Sequence, residues 1–144
     1  MIFTSNDSPQ NVKGWAQAMA FSRQILVVDD DELIQTMLAH IINNLGHSVF
    51  LVNNGHEGIH ALRYRPFDLI ITDLEMPKMD GIGLVSAVRT QSIQTPVILM
   101  TGSAREDVMR RASKVRIDHI LFKPFHLTEV KSVINKLLNP NVEQ

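Results

Sequence analysis

From Gln24 onward the chain alternates short apolar runs with stretches of helical period, five times over. The strand-like runs are Ile25–Val28, Ser48–Val52, Asp68–Thr72, Val97–Met100 and His119–Phe122. After the first, Leu33, Ile34, Met37, Leu38, Ile41, Ile42 and Leu45 form one broad apolar face, and Gly46 is a suitable stop. A second helix follows the Asn53-Asn54-Gly55 turn and runs to about Arg65, ahead of the break expected at Pro66. Further helices are predicted over about Gly83–Thr90, Arg105–Lys114 and Leu127–Leu138. Five βα units in a row predict an α/β fold, a five-stranded parallel sheet with helices on both faces.

The polar residues that end these runs carry the chemistry. Asp29, Asp30 and Asp31 stand directly behind the first strand, Asp73 behind the third, Thr101 behind the fourth and Lys123 behind the fifth. In an open α/β sheet, ligands sit beyond the carboxyl ends of the strands. Carboxylates crowded at one strand end repel one another unless a cation offsets them, and an all-oxygen acidic site suits Mg²⁺. Metal cage, carboxylate, hydroxyl and ammonium together fit phosphoryl transfer to a carboxylate, which is mostly positioning and charge neutralisation. Asp73 is the expected nucleophile, giving an acyl phosphate, with Lys123 and Thr101 on the phosphoryl oxygens.

Plainer roles stand beside these. Asp31 is expected to cap the first helix, and Asp80 to be a turn residue before Gly81. The Glu75 side chain either influences water attack on the acyl phosphate or is simply solvated. His56 and His60 have the i, i+4 spacing of a zinc pair but no evident third ligand. Arg105, Arg110, Arg111, Lys114 and Arg116 form a local basic cluster, read as a solvated face or partner surface.

The 144 residues suit one domain, and 44% hydrophobic with 20% charged residues suits a folded chain. A net charge of −1 gives no global basic field for nucleic acid or an anionic membrane. The absence of cysteine excludes disulfides, thiolate metal sites and cysteine nucleophiles. Neither a transmembrane stretch nor a signal peptide is visible, so a cytoplasmic location is expected. Residues 1–23 read as a flexible leader, with a docking helix on Trp15, Met19 and Phe21 as the alternative. Residues 24–139 form the expected domain and 140–144 a C-terminal tail.

Four motifs, in order, make the chain resemble the receiver domain of two-component response regulators. They are Leu26-Val27-Val28-Asp29-Asp30-Asp31, Asp73-Leu74-Glu75-Met76-Pro77-Lys78-Met79-Asp80-Gly81, Pro96-Val97-Ile98-Leu99-Met100-Thr101-Gly102 and Lys123-Pro124-Phe125. The resemblance covers about Arg23 to Leu138. It implies a flavodoxin-like (βα)5 fold with strand order 2-1-3-4-5, and Asp73 as the phosphoacceptor. It also implies Asp30 as a direct Mg²⁺ ligand, Asp29 as a ligand through water and Glu75 as a ligand through its carbonyl. Thr101 would be the switch hydroxyl, Lys123 the phosphate-pairing cation, and the bond before Pro124 cis. Where such domains commonly carry a switching aromatic residue, three before the lysine, this chain has Ile120.

The implied function is a phosphoacceptor that catalyses only its own phosphorylation and dephosphorylation. A histidine kinase or histidine phosphotransfer protein would be the donor. The output would be a protein target bound through the face of helix 4, strand 5 and helix 5, without nucleic acid or membrane, and with a homodimer left open. Two other classes compete. A phosphohydrolase with an Asp nucleophile would turn over a phosphate ester repeatedly, and a scaffold receiver would work without phosphorylation.

Overall fold

The computed structural model describes residues 22–140, so the expected leader and tail lie almost wholly outside the described residues. Five strands, β1 (Gln24–Val28), β2 (Ser48–Val52), β3 (Leu69–Asp73), β4 (Val97–Thr101) and β5 (His119–Phe122), pair in parallel in the order β2-β1-β3-β4-β5. Five helices alternate with them: α1 (Glu32–Asn44), α2 (Gly55–Tyr64), α3 (Gly81–Thr90), α4 (Arg105–Ala112) and α5 (Leu127–Leu138). The fold is flavodoxin-like, as expected.

Burial follows strand position. The central strands β3 and β4 are buried at every residue, because helices cover both faces of a parallel sheet. On one face Val27, Ile71, Ile98, Met100 and Leu121 pack with Leu38 and Ile42 of α1 and Val130 and Ile134 of α5. On the other, Leu26, Val28 and Ile70 pack with Ala61 of α2 and Leu84 and Val88 of α3. A smaller cluster of Leu74, Leu99 and Val108 seats α4, with Ile120 and Phe122 against it. Edge strand β2 leaves Phe50 and Leu51 partly exposed, and the Arg65 guanidinium lies 4.8 Å from the Phe50 ring centroid.

The helix ends obey local chemistry. Asp31 caps α1 by accepting from the Leu33 amide at 2.8 Å. Past its far end, Gly46 adopts φ +89° and donates to the Asn43 carbonyl, while His47 donates to Ile42. Those two bonds make a Schellman stop. Asn54 caps α2 through the Glu57 amide, and Glu57 accepts in return from Asn53. Asp80, expected as a turn residue, is the cap of α3 and accepts from the Gly83 amide at 2.8 Å, so that helix starts two residues earlier than expected. Helix α4 stops at Ala112, short of Lys114, where Ser113 caps it.

Candidate functional site

Strand order reverses between β1 and β3, so their carboxyl ends border one crevice. Asp29 and Asp30 follow β1, and Asp73 is the last residue of β3, paired in register with Met100. One carboxylate oxygen from each of the three lies within 4.8 Å of the others. Asp29 is fully buried, Asp73 nearly so, and Asp30 is exposed. Asp31 is at the helix cap and outside this group, as its plainer reading held.

The two oxygens of Asp29 differ. Oδ1 accepts from the Asp31 amide at 2.8 Å, whereas Oδ2 is buried with no hydrogen-bond partner. Burial, reinforced by the charges of Asp73 and Asp30, pushes the Asp29 carboxyl up to about 6 despite the Asp31 bond. Burial also raises Asp73, against the pull of Lys123. Lys123 Nζ donates to Asp73 Oδ1 at 3.0 Å. Burial opposes its charge, but the bond and charge of Asp73 outweigh that and hold the ammonium above the ordinary lysine range.

Thr101 ends β4 fully buried, its carbonyl accepting from the Lys123 amide at 2.7 Å. Its hydroxyl donates to Glu75 Oε2 at 2.8 Å, and the Gly102 amide donates to Glu75 Oε1 at 3.0 Å. The Lys123–Pro124 bond is cis. Gly81 is required by close approach: a Cβ there would collide with the Asp73 carbonyl oxygen and lie 2.7 Å from Leu99 Cδ1. The expected residues of the site thus converge at one edge of the sheet, with Ile120 packed below them under α4.

Sequence reasoning missed two supports. Gln35 on α1 is buried, and its Nε2 lies 2.6 Å from the Asp29 carbonyl, 3.1 Å from the Val52 carbonyl and 2.9 Å from Asn53 Oδ1. It ties the ends of β1 and β2 together behind the acidic crevice. Its signal was a polar residue in register with Leu38 and Ile42 on the apolar face. Arg105 lies over the Phe122 ring at 4.1 Å, joining the start of α4 to the end of β5, the next element in the chain. Most of the basic cluster is partnered: Arg110 with Asp107, Arg111 with Asp80 and Arg116 with Asp118. His56 and His60 gain no third metal ligand among the described residues.

The donor set fits a hard divalent cation. All three carboxylates offer oxygen, and the orphaned Asp29 Oδ2 is a buried acceptor in need of a positive partner.

The profile of the response regulator receiver domain matches residues 25–135, and the chain belongs to that family of two-component signalling domains. It is 31% identical over 114 residues to a probable chemotaxis protein CheY of Rhizobium etli, covering 77% of this chain and 88% of that one. It is also 31% identical over 120 residues to the regulatory protein AtoC of Escherichia coli, covering 83% of this chain but 26% of AtoC. The chain therefore spans about a quarter of that relative. Among solved structures, the receiver domain of the Francisella response regulator 1452 superposes with a TM-score of 0.77 at 28% identity, covering 84% of this chain and all of that one. The receiver domain of a Pseudomonas aeruginosa sensor histidine kinase, 24% identical, shares the fold with a TM-score of 0.75 over 82% of this chain and 98% of that one. That structure holds a magnesium ion coordinated in its active site cleft. Among the described residues no helix is long and apolar enough to cross a membrane.

Proposed function

We propose that this chain is a phosphoacceptor receiver whose Asp73 takes a phosphoryl group from a phosphohistidine on a histidine kinase or phosphotransfer protein. The observation that carries the reading is the ion pair of Lys123 Nζ with Asp73 Oδ1 beside the Asp29–Asp30–Asp73 cluster. An Asp73 oxygen forms a bond to phosphorus as the phosphorus–nitrogen bond to the donor imidazole breaks, and the electron pair returns to that imidazole. Lys123 then pairs with a phosphoryl oxygen, and the Thr101 hydroxyl donates to another. Asp29, Asp30 and Asp73, with the Glu75 carbonyl, would hold Mg²⁺. When bound, it would supply the charge neutralisation that lets three carboxylates and a phosphoryl group share one crevice.

The receiver unit is assigned to residues 24–139. Its output is a change in the face of α4, β5 and α5, offered to a protein target, and the setting is a cytoplasmic phosphorelay. The exposed Leu127 at the start of α5 and the exposed Met109 on α4 support a protein-binding role for that side.

Labelling with acetyl phosphate tests the reading. With Mg²⁺ the chain should gain one acid-stable, base-labile phosphate, read by intact mass. Asp73→Asn should remove it while leaving the fold almost unchanged, and EDTA should suppress it. Stoichiometric label in Asp73→Asn would take Asp73 out of this role. Repeated turnover of a phosphate ester would replace the receiver reading with the hydrolase one.

A further inference from the structure

Glu75 lies two residues beyond Asp73 on the β3–α3 loop, and both its carboxylate oxygens are engaged. Oε2 accepts from the Thr101 hydroxyl at 2.8 Å and Oε1 from the Gly102 amide at 3.0 Å. The donors belong to adjacent residues where β4 runs into the loop before α4. The Thr101 hydroxyl also accepts from the Ser103 amide at 3.0 Å, so its proton is directed toward Glu75. Lys123 bonds Asp73 and leaves Glu75 to these two donors. A carboxylate offers two anionic oxygens at nearly the spacing of two oxygens on a phosphoryl group, and such charge-assisted bonds are the stronger kind.

We propose that Glu75 is a built-in competitor for the phosphoryl group. In the resting chain its carboxylate occupies the Thr101 hydroxyl and the Gly102 amide, and phosphorylation of Asp73 has to displace it before those donors turn to phosphate. The inference rests on the phosphoacceptor reading and adds a residue that sets how readily the site commits. A second tie from the same loop acts in the same direction, since Asp80 pairs with Arg111 of α4. The β3–α3 loop thus grips both the approach to α4 and the helix itself. Glu75 is exposed, so the bonds are open to water and release without unfolding. It is a positioning residue, acting through Thr101 and Gly102.

A simpler electrostatic effect would also make Glu75 unfavourable to an incoming anion, and the two are separable. Beryllofluoride affinity is measured with Mg²⁺ in wild type, E75A, T101A and the double variant. E75A should bind about fivefold more tightly, the size expected of a freed charge-assisted bond at an exposed site. In the T101A background the same change should give about twofold or less, because one of the two held donors is gone. Equal gains in both backgrounds, or no gain at all, would overturn the competitor in favour of plain repulsion or no role. The Gly102 amide proton supplies a readout independent of phosphoryl chemistry. It should move upfield in E75A, and an unmoved signal would overturn the resting contact itself. If that signal moves while no variant binds beryllofluoride or takes phosphate, the phosphoacceptor reading fails and the competitor role with it.

Discussion

Asp29 carries its two oxygens into different surroundings, one bonded to the Asp31 amide and one buried without a partner, and burial raises its titration against the pull of that bond. Between about pH 4 and 6, an acid whose folded value is raised to about 6 from 3.8 keeps a proton in the native state that the unfolded chain releases. Its effect on stability is therefore neutral below about pH 4, grows unfavourable as pH rises toward 6, and is level above that. Asp29→Asn removes the charge while keeping an oxygen for the Asp31 amide. Measured by urea unfolding in EDTA, the variant should exceed wild type by of the order of 2 kcal/mol above pH 6, with the advantage fading toward pH 4. An advantage that does not change with pH would show that charge burial is not its origin. Gln35 is the opposite kind of residue, stabilising what Asp29 strains. Gln35→Leu leaves the buried Asp29 carbonyl without its side-chain donor. A loss of about 2 kcal/mol is expected, with weaker Mg²⁺ binding in a titration of the folded protein, because the backbone under the acidic pair loosens. Unchanged Mg²⁺ affinity in a destabilised variant would confine Gln35 to packing.

Among the elements, the strand ends show where sequence patterning stops being informative. The apolar runs place β2, β5 and α5 to the residue, but β4 continues one residue further, through Thr101, and β3 is shifted by one, starting at Leu69 and ending at Asp73. Polarity suggests an end there, yet the ladder continues, with Asp73 opposite Met100 and Thr101 opposite Phe122. Side-chain polarity reports the crevice, whereas strand pairing is decided by the backbone. Helix α3 begins at Gly81 under the Asp80 cap, and two glycines in its first turn dilute the helical signal that would have marked it. The carboxylates, Thr101 and Lys123 were legible because each interrupts an apolar run at a strand end. The grip of Glu75 on Thr101, the Gln35 anchor and the Arg105–Phe122 stack were not, since each depends on how separate loops and helices meet in space. Gly81 was legible only as the residue after an expected turn, and the structure adds why glycine stands there. Gly81→Ala should destabilise the chain by about 2–3 kcal/mol in chemical denaturation, because the new methyl meets the Asp73 carbonyl and Leu99. The same displacement moves Asp73 and should slow acetyl phosphate labelling. A variant as stable as wild type would mean that α3 slides without strain.

For the whole molecule, the proposed function requires a change at one sheet edge to reach a partner surface, and α4 buries the fewest residues of the five helices. It has eight residues, buries only Val108 and Ala112, and has no side-chain cap at its start. Few buried contacts give low local stability, so small forces at its ends shift it. Those forces come from Glu75 through Thr101 and Gly102, from Asp80 through Arg111, and from Phe122 beneath Arg105. Phosphorylation of Asp73 should draw the Thr101 hydroxyl toward the phosphoryl group, releasing the first tie and pulling on the loop that leads into α4. Ile120, where the resemblance leads one to expect a switching ring, packs with Leu74, Leu99 and Val108, so on that reading it should answer only by a small aliphatic shift. Phe122 lies on the same face of β5 under Arg105, and that stack should change if the start of α4 moves. Amide shifts measured with and without beryllofluoride should therefore concentrate from Thr101 to Lys114 and around Ile120 and Phe122. Thr101→Ala should shrink the distal part of that response at α4 and β5 while Asp73 still accepts phosphate, because the proposed function gives the hydroxyl the coupling role and Asp73 the nucleophilic one. A full distal response in Thr101→Ala would remove the hydroxyl as the coupling group. It would leave the charge at Asp73, acting through Lys123 and β5, as the route to the surface.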